Sequence, residues 1–109
     1  MTINSKYVAL KNYIPLGLPK EIDFEIKSRV LELNDENNIH VKNSWISVDP
    51  YMRARMTERK NYKPPFNIGE EMEGYAIGIV EKSADNSFNK GDVVFSNKGM
   101  RDNFVCNEK

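Results

Sequence analysis

The chain has one cysteine, one histidine and one tryptophan in 109 residues, and each scarcity closes off a class of protein. A lone Cys106 cannot form an internal disulfide, which fits a reducing compartment such as the cytoplasm. A structural zinc site usually takes about four closely spaced Cys or His ligands and a catalytic one about three, so Cys106 and His40, far apart in the chain, are too few to suggest one. Sixteen basic and sixteen acidic residues cancel, which removes the net charge that drives non-specific nucleic-acid binding. No apolar run approaches the roughly 20 residues that a membrane-spanning helix needs. The opening Met-Thr-Ile-Asn-Ser-Lys lacks the basic-then-apolar pattern of a signal peptide. Six glycines are scattered, and none forms the Gly-x-Gly-x-x-Gly turn that cradles a dinucleotide after a strand.

What is present is a series of short strand-like segments in a chain of one-domain length. Residues 6–11 predict a first strand, and Pro15, Gly17 and Pro19 make 13–20 a loop. Between 23 and 33, Phe24, Ile26 and Val30 hold one parity while Leu31 and Leu33 hold the other, which predicts a bulge or a strand passing between two surfaces. Residues 34–38 are a turn by composition, and a further strand runs from Ile39 through Trp45. Residues 57–63 predict a mobile polar surface loop, and Pro64-Pro65 forces an extended path. Tyr75, Ile77 and Ile79 then alternate with Ala76, Gly78 and Val80, so something packs close against the small side of that strand. Turns at 84–87 and 90–92 and strands at 93–95 and about 102–106 complete the pattern. Six or seven short strands separated by polar turns indicate an all-β barrel or sandwich.

The chain is organised around Trp45 to Met56. Ile46 and Val48 alternate with Ser47 as in a half-buried strand, and the period then changes at Asp49-Pro50. Asp49 is a favoured N-cap and Pro50 suits the first helical position. Met52 and Met56, four apart, share one face of a short helix. Tyr51 falls at the strand-to-helix junction, where a side chain can point into a cleft.

The run Val48-Asp49-Pro50-Tyr51-Met52-Arg53-x-Arg55-Met56 resembles the signature of the zinc-independent double-bond reductases. This branch of the medium-chain dehydrogenase/reductase superfamily includes prostaglandin reductases and plant alkenal reductases. The likeness continues through Pro64-Pro65-Phe66, Ile68-Gly69-Glu70, Gly74-Tyr75-x-x-Gly78-x-Val80 and Lys90-Gly91-Asp92-Val93-Val94. It implies a GroES-like, partly open β-barrel with one short helix after the Asp-Pro corner. Residues 1–109 would be the substrate-side domain, completed in relatives by later segments, with the Rossmann nucleotide-binding domain outside this chain. Zinc-dependent cousins carry a Cys near the Asp49-Pro50 corner and His-Glu after the glycine resembling Gly69; both are missing, so the resemblance implies no zinc.

In that family, NADPH delivers hydride to the β-carbon of an enone or enal, and a hydroxyl stabilises the negative charge that grows on the carbonyl oxygen. A tyrosine suits this role because its phenol, with a pKa near 10, is a protonated donor at neutral pH. The resemblance assigns Tyr51 and Tyr75 to substrate binding, and Tyr51, Met52 and Arg53 to the NADP end of the cleft. A plainer reading stands beside each. Tyr51 could be a buried corner tyrosine tying down a loop, and Tyr75 one more large residue on an inward strand face. The basic group Arg53, Arg55, Arg59, Lys60 and Lys63 could steer a dinucleotide, but reads better as solvated surface. Glu70, Glu71 and Glu73 are expected to be exposed or salt-bridged, His40 exposed or hydrogen-bonded, and Cys106 an inert thiol. Met100 stands where many relatives have an aromatic.

Two functions fit these features: the substrate-side domain of an NADPH-dependent double-bond reductase, inactive alone, or a non-catalytic GroES-like folding or dimerisation module. The second predicts an exposed apolar patch and a homodimer.

Overall fold

In a computed structural model describing residues 2–33, 38–58 and 63–107, six strands form two antiparallel sheets. Strand β1 (Thr2–Leu10) pairs with β2 (Phe24–Glu32), in unbroken register from Thr2↔Glu32 to Leu10↔Phe24. The second sheet has the order β5-β4-β3-β6, built from β3 (Asn38–Ile46), β4 (Ala76–Ser83), β5 (Val93–Ser96) and β6 (Asn103–Asn107). One four-residue helix, α1 (Tyr51–Ala54), follows β3, and a short 3₁₀ turn spans Glu21–Asp23. The sheets do not close into a barrel. They meet through single bridges, Tyr7↔Arg101 and Ala9↔Glu71, and through the Ser5 hydroxyl, which donates to the Asn103 carbonyl at 2.6 Å.

Neither the bulge nor the passage between two surfaces expected of β2 is found, since its register is unbroken and most of it is exposed, and the parity change there has a simpler cause. This strand is the outer member of a two-stranded sheet, so Ile26 and Val30 stay exposed and the pattern carries no core signal. Register slips occur instead in β3 against β4, between His40 and Val41 and between Asn43 and Trp45. At the second slip the Asn43 amide donates to the Lys98 and Arg101 carbonyls, both at 2.9 Å. The extra residue re-aims the end of the strand, and Trp45 points to solvent. The turn expected at 34–38 lies almost wholly outside the described residues, as do positions 59–62 of the expected loop.

Two cores result. Leu10, Ile14, Met52, Met56, Phe66 and Met72 pack where β1 meets α1, so the two methionines do share a buried face. Ile39, Val41, Val80 and Phe104 form the other core under the four-stranded sheet. The small side of β4 faces this core, as its pattern indicated. A Cβ on Gly78 would lie 2.5 Å from Val41 Cγ1 and 2.8 Å from the Lys42 carbonyl oxygen, so only glycine lets β3 and β4 approach this closely.

Candidate functional site

The corner between β3 and α1 is built differently from its sequence signal. Pro50, with helical backbone angles, is the N-cap, and no side chain caps the helix. The Asp49 carboxylate instead accepts the Ser47 hydroxyl, 2.9 Å from each oxygen, while the Asp49 carbonyl accepts the Met52 N–H at 3.1 Å. The corner is zipped to the next segment by the Ser47 N–H donating to the Tyr75 carbonyl at 2.9 Å. That bond draws Tyr51 and Tyr75 together, their ring centroids 6.3 Å apart and edge to face. Phe95 on β5 stacks on the other side of Tyr75 at 5.4 Å. Lys63 Nζ lies 5.0 Å from the Tyr51 centroid and 6.0 Å from that of Tyr75, close enough for cation–π attraction.

The tyrosines divide by what their hydroxyls do. Tyr13 donates to the Phe66 carbonyl at 2.9 Å and Tyr7 to the Gly69 carbonyl at 3.4 Å, so both tie down backbone. Among the described residues nothing hydrogen-bonds to the hydroxyls of Tyr51 or Tyr75. Among the described residues the Tyr51 hydroxyl thus ties down no backbone, and Tyr75, 42% exposed, lies on the outward face of its segment. Burial, helped by the Asp49 charge, pushes the Tyr51 phenol above its ordinary pKa, so it is a protonated donor at neutral pH. Beside the pair runs an open cleft of about 360 Å³ lined by Trp45, Ser47, Tyr75, Ile77 and Phe95 among others.

Met52, two per cent exposed, is surrounded by the first core. The Arg53 guanidinium is clamped to the Gly17 carbonyl at 2.9 Å and borders a larger groove lined also by Tyr13, Leu16 and Glu58. Of the basic group, Arg55 corrects the expectation of a solvated surface: it is buried, lies 4.2 Å over the Phe66 ring, and donates to the Pro64 carbonyl at 2.7 Å and to Glu73 at 2.9 Å. Arg59 and Lys60 fall outside the described residues. Arg55 sits three residues after Met52 and one before Met56, a spacing that places all three on one helical face and could have revealed its burial. It fixes the segment from which Lys63 reaches the tyrosines.

The remaining candidates take the plainer readings. Glu71 pairs with Arg29 at 3.3 Å and Glu73 with Arg55, while Glu70 accepts from the Asn67 amide. His40 Nε2 lies 2.8 Å from Asn103 Oδ1. Burial pushes the Cys106 thiol up, away from the thiolate form that reacts. Met100, in the left-handed region at φ 57°, gives its carbonyl to the Val8 N–H at 2.8 Å. Among the described residues, no three His, Cys, Asp or Glu side chains gather as a metal site would require.

The fold is that of a GroES-like N-terminal domain. The family described as the N-terminal domain of oxidoreductase matches residues 6–109, and the chain belongs to it. Among curated relatives, the chain is 39% identical to the NADP(+)-dependent 2-alkenal reductase of Nicotiana tabacum over 104 residues, covering 92% of this chain and 30% of the relative. It is 31% identical to the NADPH-dependent curcumin reductase of Escherichia coli over 88 residues, covering 81% of this chain and 26% of the relative. The crystal structure of CurA from Vibrio vulnificus superposes with a TM-score of 0.89 at 27% identity, covering 96% of this chain and 31% of CurA. The same protein with NADPH gives 0.83 at 26% identity, over 95% of this chain and 31% of that one. The chain thus spans about 30% of the length of the relatives it matches.

Proposed function

We propose that this chain is the substrate-side domain of a zinc-independent, NADPH-dependent oxidoreductase that reduces the carbon–carbon double bond of an enone or enal, working in the cytoplasm. The observation that carries it is the pair of adjacent phenols, Tyr51 and Tyr75, bonded to no described residue, with Tyr75 lining an apolar cleft. The Tyr51 hydroxyl donates to the substrate carbonyl oxygen, and its hydrogen bond strengthens as charge grows there. A preorganised donor of this kind contributes roughly 3 kcal/mol to the transition state. Tyr75 and Phe95 supply a flat wall for the conjugated system, and Trp45 and Ile77 extend it.

The described residues do not fit the phosphates of a dinucleotide. Their one α-helix has four residues, and the Arg53 and Arg55 guanidiniums are occupied by Gly17 and by Pro64 and Glu73. NADPH would supply the hydride from polypeptide beyond these residues, a Rossmann domain, with Tyr51 nearest its reacting end and Met52 and Arg53 positioning that corner. Turnover by these 109 residues alone with NADPH and an enal would therefore overturn the division of labour.

The test is binding. Trp45, the one tryptophan, lines the cleft, so its fluorescence should respond to cinnamaldehyde added to the chain. Tyr51→Phe should weaken that binding about fivefold, the worth of one hydrogen bond near 1 kcal/mol. No response in either protein would sink the substrate reading. A second reading, an association module that forms homodimers, is favoured by the apolar residues left exposed on β3, β4 and β5.

A further inference from the structure

Lys63 stands apart from the other cations of its segment. The carbonyl of its neighbour Pro64 is pinned by the buried Arg55 at 2.7 Å, which fixes the backbone beneath Lys63. From there the half-buried side chain brings its ammonium 5.0 Å from the centre of the Tyr51 ring and 6.0 Å from that of Tyr75. Aromatic rings attract a cation without neutralising it. The carboxylates nearest the phenols are engaged elsewhere: Asp49 accepts the Ser47 hydroxyl and Glu73 pairs with Arg55. Among the described residues, no carboxylate comes within ion-pair distance of Lys63. Arg53 and Arg55, by contrast, are held by the Gly17 carbonyl and by Pro64 and Glu73. Of these three cations, Lys63 alone keeps its charge open beside the phenols.

We propose that Lys63 is a specificity residue of this site: it selects an enone or enal that also carries a carboxylate, pairing with that group while Tyr51 donates to the carbonyl oxygen. The inference rests on the reductase reading and adds the charge of the substrate to it. A phenol oxygen stands about 3 Å from its ring centre, so the ammonium is within about 8 Å of the Tyr51 hydroxyl, one Debye length at physiological salt. One ligand can therefore engage both groups, with its hydrocarbon against the apolar wall of Trp45, Tyr75, Ile77 and Phe95. A lysine is a point charge with three rotatable donors, which suits a single carboxylate. The phosphates of a dinucleotide ask for several donors or a helix N-terminus, and one ammonium supplies neither. The rings that hold Lys63 are the phenols of the site itself, so its charge belongs to what those phenols bind rather than to the flank of the domain.

The test compares 4-carboxycinnamaldehyde with its methyl ester, which removes the negative charge, by the fluorescence response of Trp45. At low ionic strength the chain should bind the acid about fivefold tighter than the ester, the upper range for a partly exposed ion pair, and added salt should shrink that ratio. Lys63→Met keeps most of the stem and removes the charge; it should abolish the ratio while leaving ester binding within about twofold of the parent. Lys63→Arg should restore the preference and Lys63→Glu should reverse it. A lysine that merely held the rings in place would weaken both ligands alike and leave the ratio unmoved. The salt dependence of the parent decides the question even where a variant does not fold. Ester binding with no preference for the acid would overturn the Lys63 assignment and leave the reductase reading standing, whereas failure of both ligands to bind would overturn both. A preference that salt does not reduce, or that survives in folded Lys63→Met, would also overturn the assignment.

Discussion

Tyr51 and Tyr75 meet edge to face, ring planes inclined by 63°, with neither hydroxyl bonded to a described residue. One comes from the first residue of α1 and the other from just before β4, and the bond from Ser47 N–H to the Tyr75 carbonyl holds the two segments together. Among the described residues the rings pack while the hydroxyls bond nothing, an arrangement that packing alone does not require.

The contrast among tyrosines yields the first prediction. Tyr51→Phe and Tyr75→Phe remove hydroxyls that bond nothing described, so each should change unfolding free energy by less than about 0.5 kcal/mol. Tyr13→Phe deletes the bond to the Phe66 carbonyl and should cost about 1 kcal/mol. Urea denaturation of the three variants gives the comparison, and equal losses in all three would mean that the Tyr51 and Tyr75 hydroxyls are structural.

Arg55 carries the second. Its side chain bonds Glu73 and the Pro64 carbonyl and covers the Phe66 ring. Arg55→Met keeps much of the apolar contact but leaves the carbonyl unpartnered. Because Glu73 is half exposed, water re-solvates that carboxylate, and most of the loss falls on the Pro64 carbonyl. We expect destabilisation of about 1–3 kcal/mol and weaker cinnamaldehyde binding, since the Lys63 segment loses its anchor. A variant as stable as the parent would show the buried bonds to be dispensable.

Much of the fold was written in local pattern. Alternation located β3 and β4, the turn at 90–92 located β5, and the Asp49-Pro50 break placed the helix. Patterns failed where they had no core to report on: β2 is exposed on most of its length, so its change of parity did not mean a bulge. The second slip in β3 coincides with the Asn43 amide reaching carbonyls of Lys98 and Arg101, a long-range pairing invisible to any local window. Asp49 looked like a cap by residue type, but Ser47, two residues away, holds its carboxylate. At the site, resemblance singled out Tyr51 and Tyr75, while Trp45, Phe95 and Lys63 joined them only when the strands paired.

Gly78 offers the third prediction, a test of the β3–β4 approach. An added methyl would press on Val41 Cγ1 and on the Lys42 carbonyl oxygen at 2.8 Å, and backbone cannot move aside as a flexible side chain can. Overpacking of this kind costs roughly 1–3 kcal/mol, which should outweigh the entropy that alanine saves in the unfolded chain. Thermal unfolding of Gly78→Ala should show a lowered midpoint. An unchanged or raised midpoint would place the two strands farther apart than the structure has them.

The last concerns pH. Burial first, and the Asp49 charge after it, raises the Tyr51 pKa in the folded chain above its ordinary value of 10.0. On raising the pH, the unfolded phenol ionises first while the folded one keeps its proton. The unfolded state then binds fewer protons, and stability falls with rising pH. The contribution is whole below pH about 10 and is lost as the pH climbs through the folded pKa. The phenolate absorbance of the parent minus that of Tyr51→Phe isolates this one group, and it should appear later in an alkaline titration than for a free tyrosine. Stability of the parent should fall more steeply than that of Tyr51→Phe across the same interval, and both should be flat with respect to this group from pH 6 to 9, roughly, where ordinary tyrosines stay protonated. Ionisation at or below the ordinary value would instead mean that a cation reaches the hydroxyl and outweighs its burial.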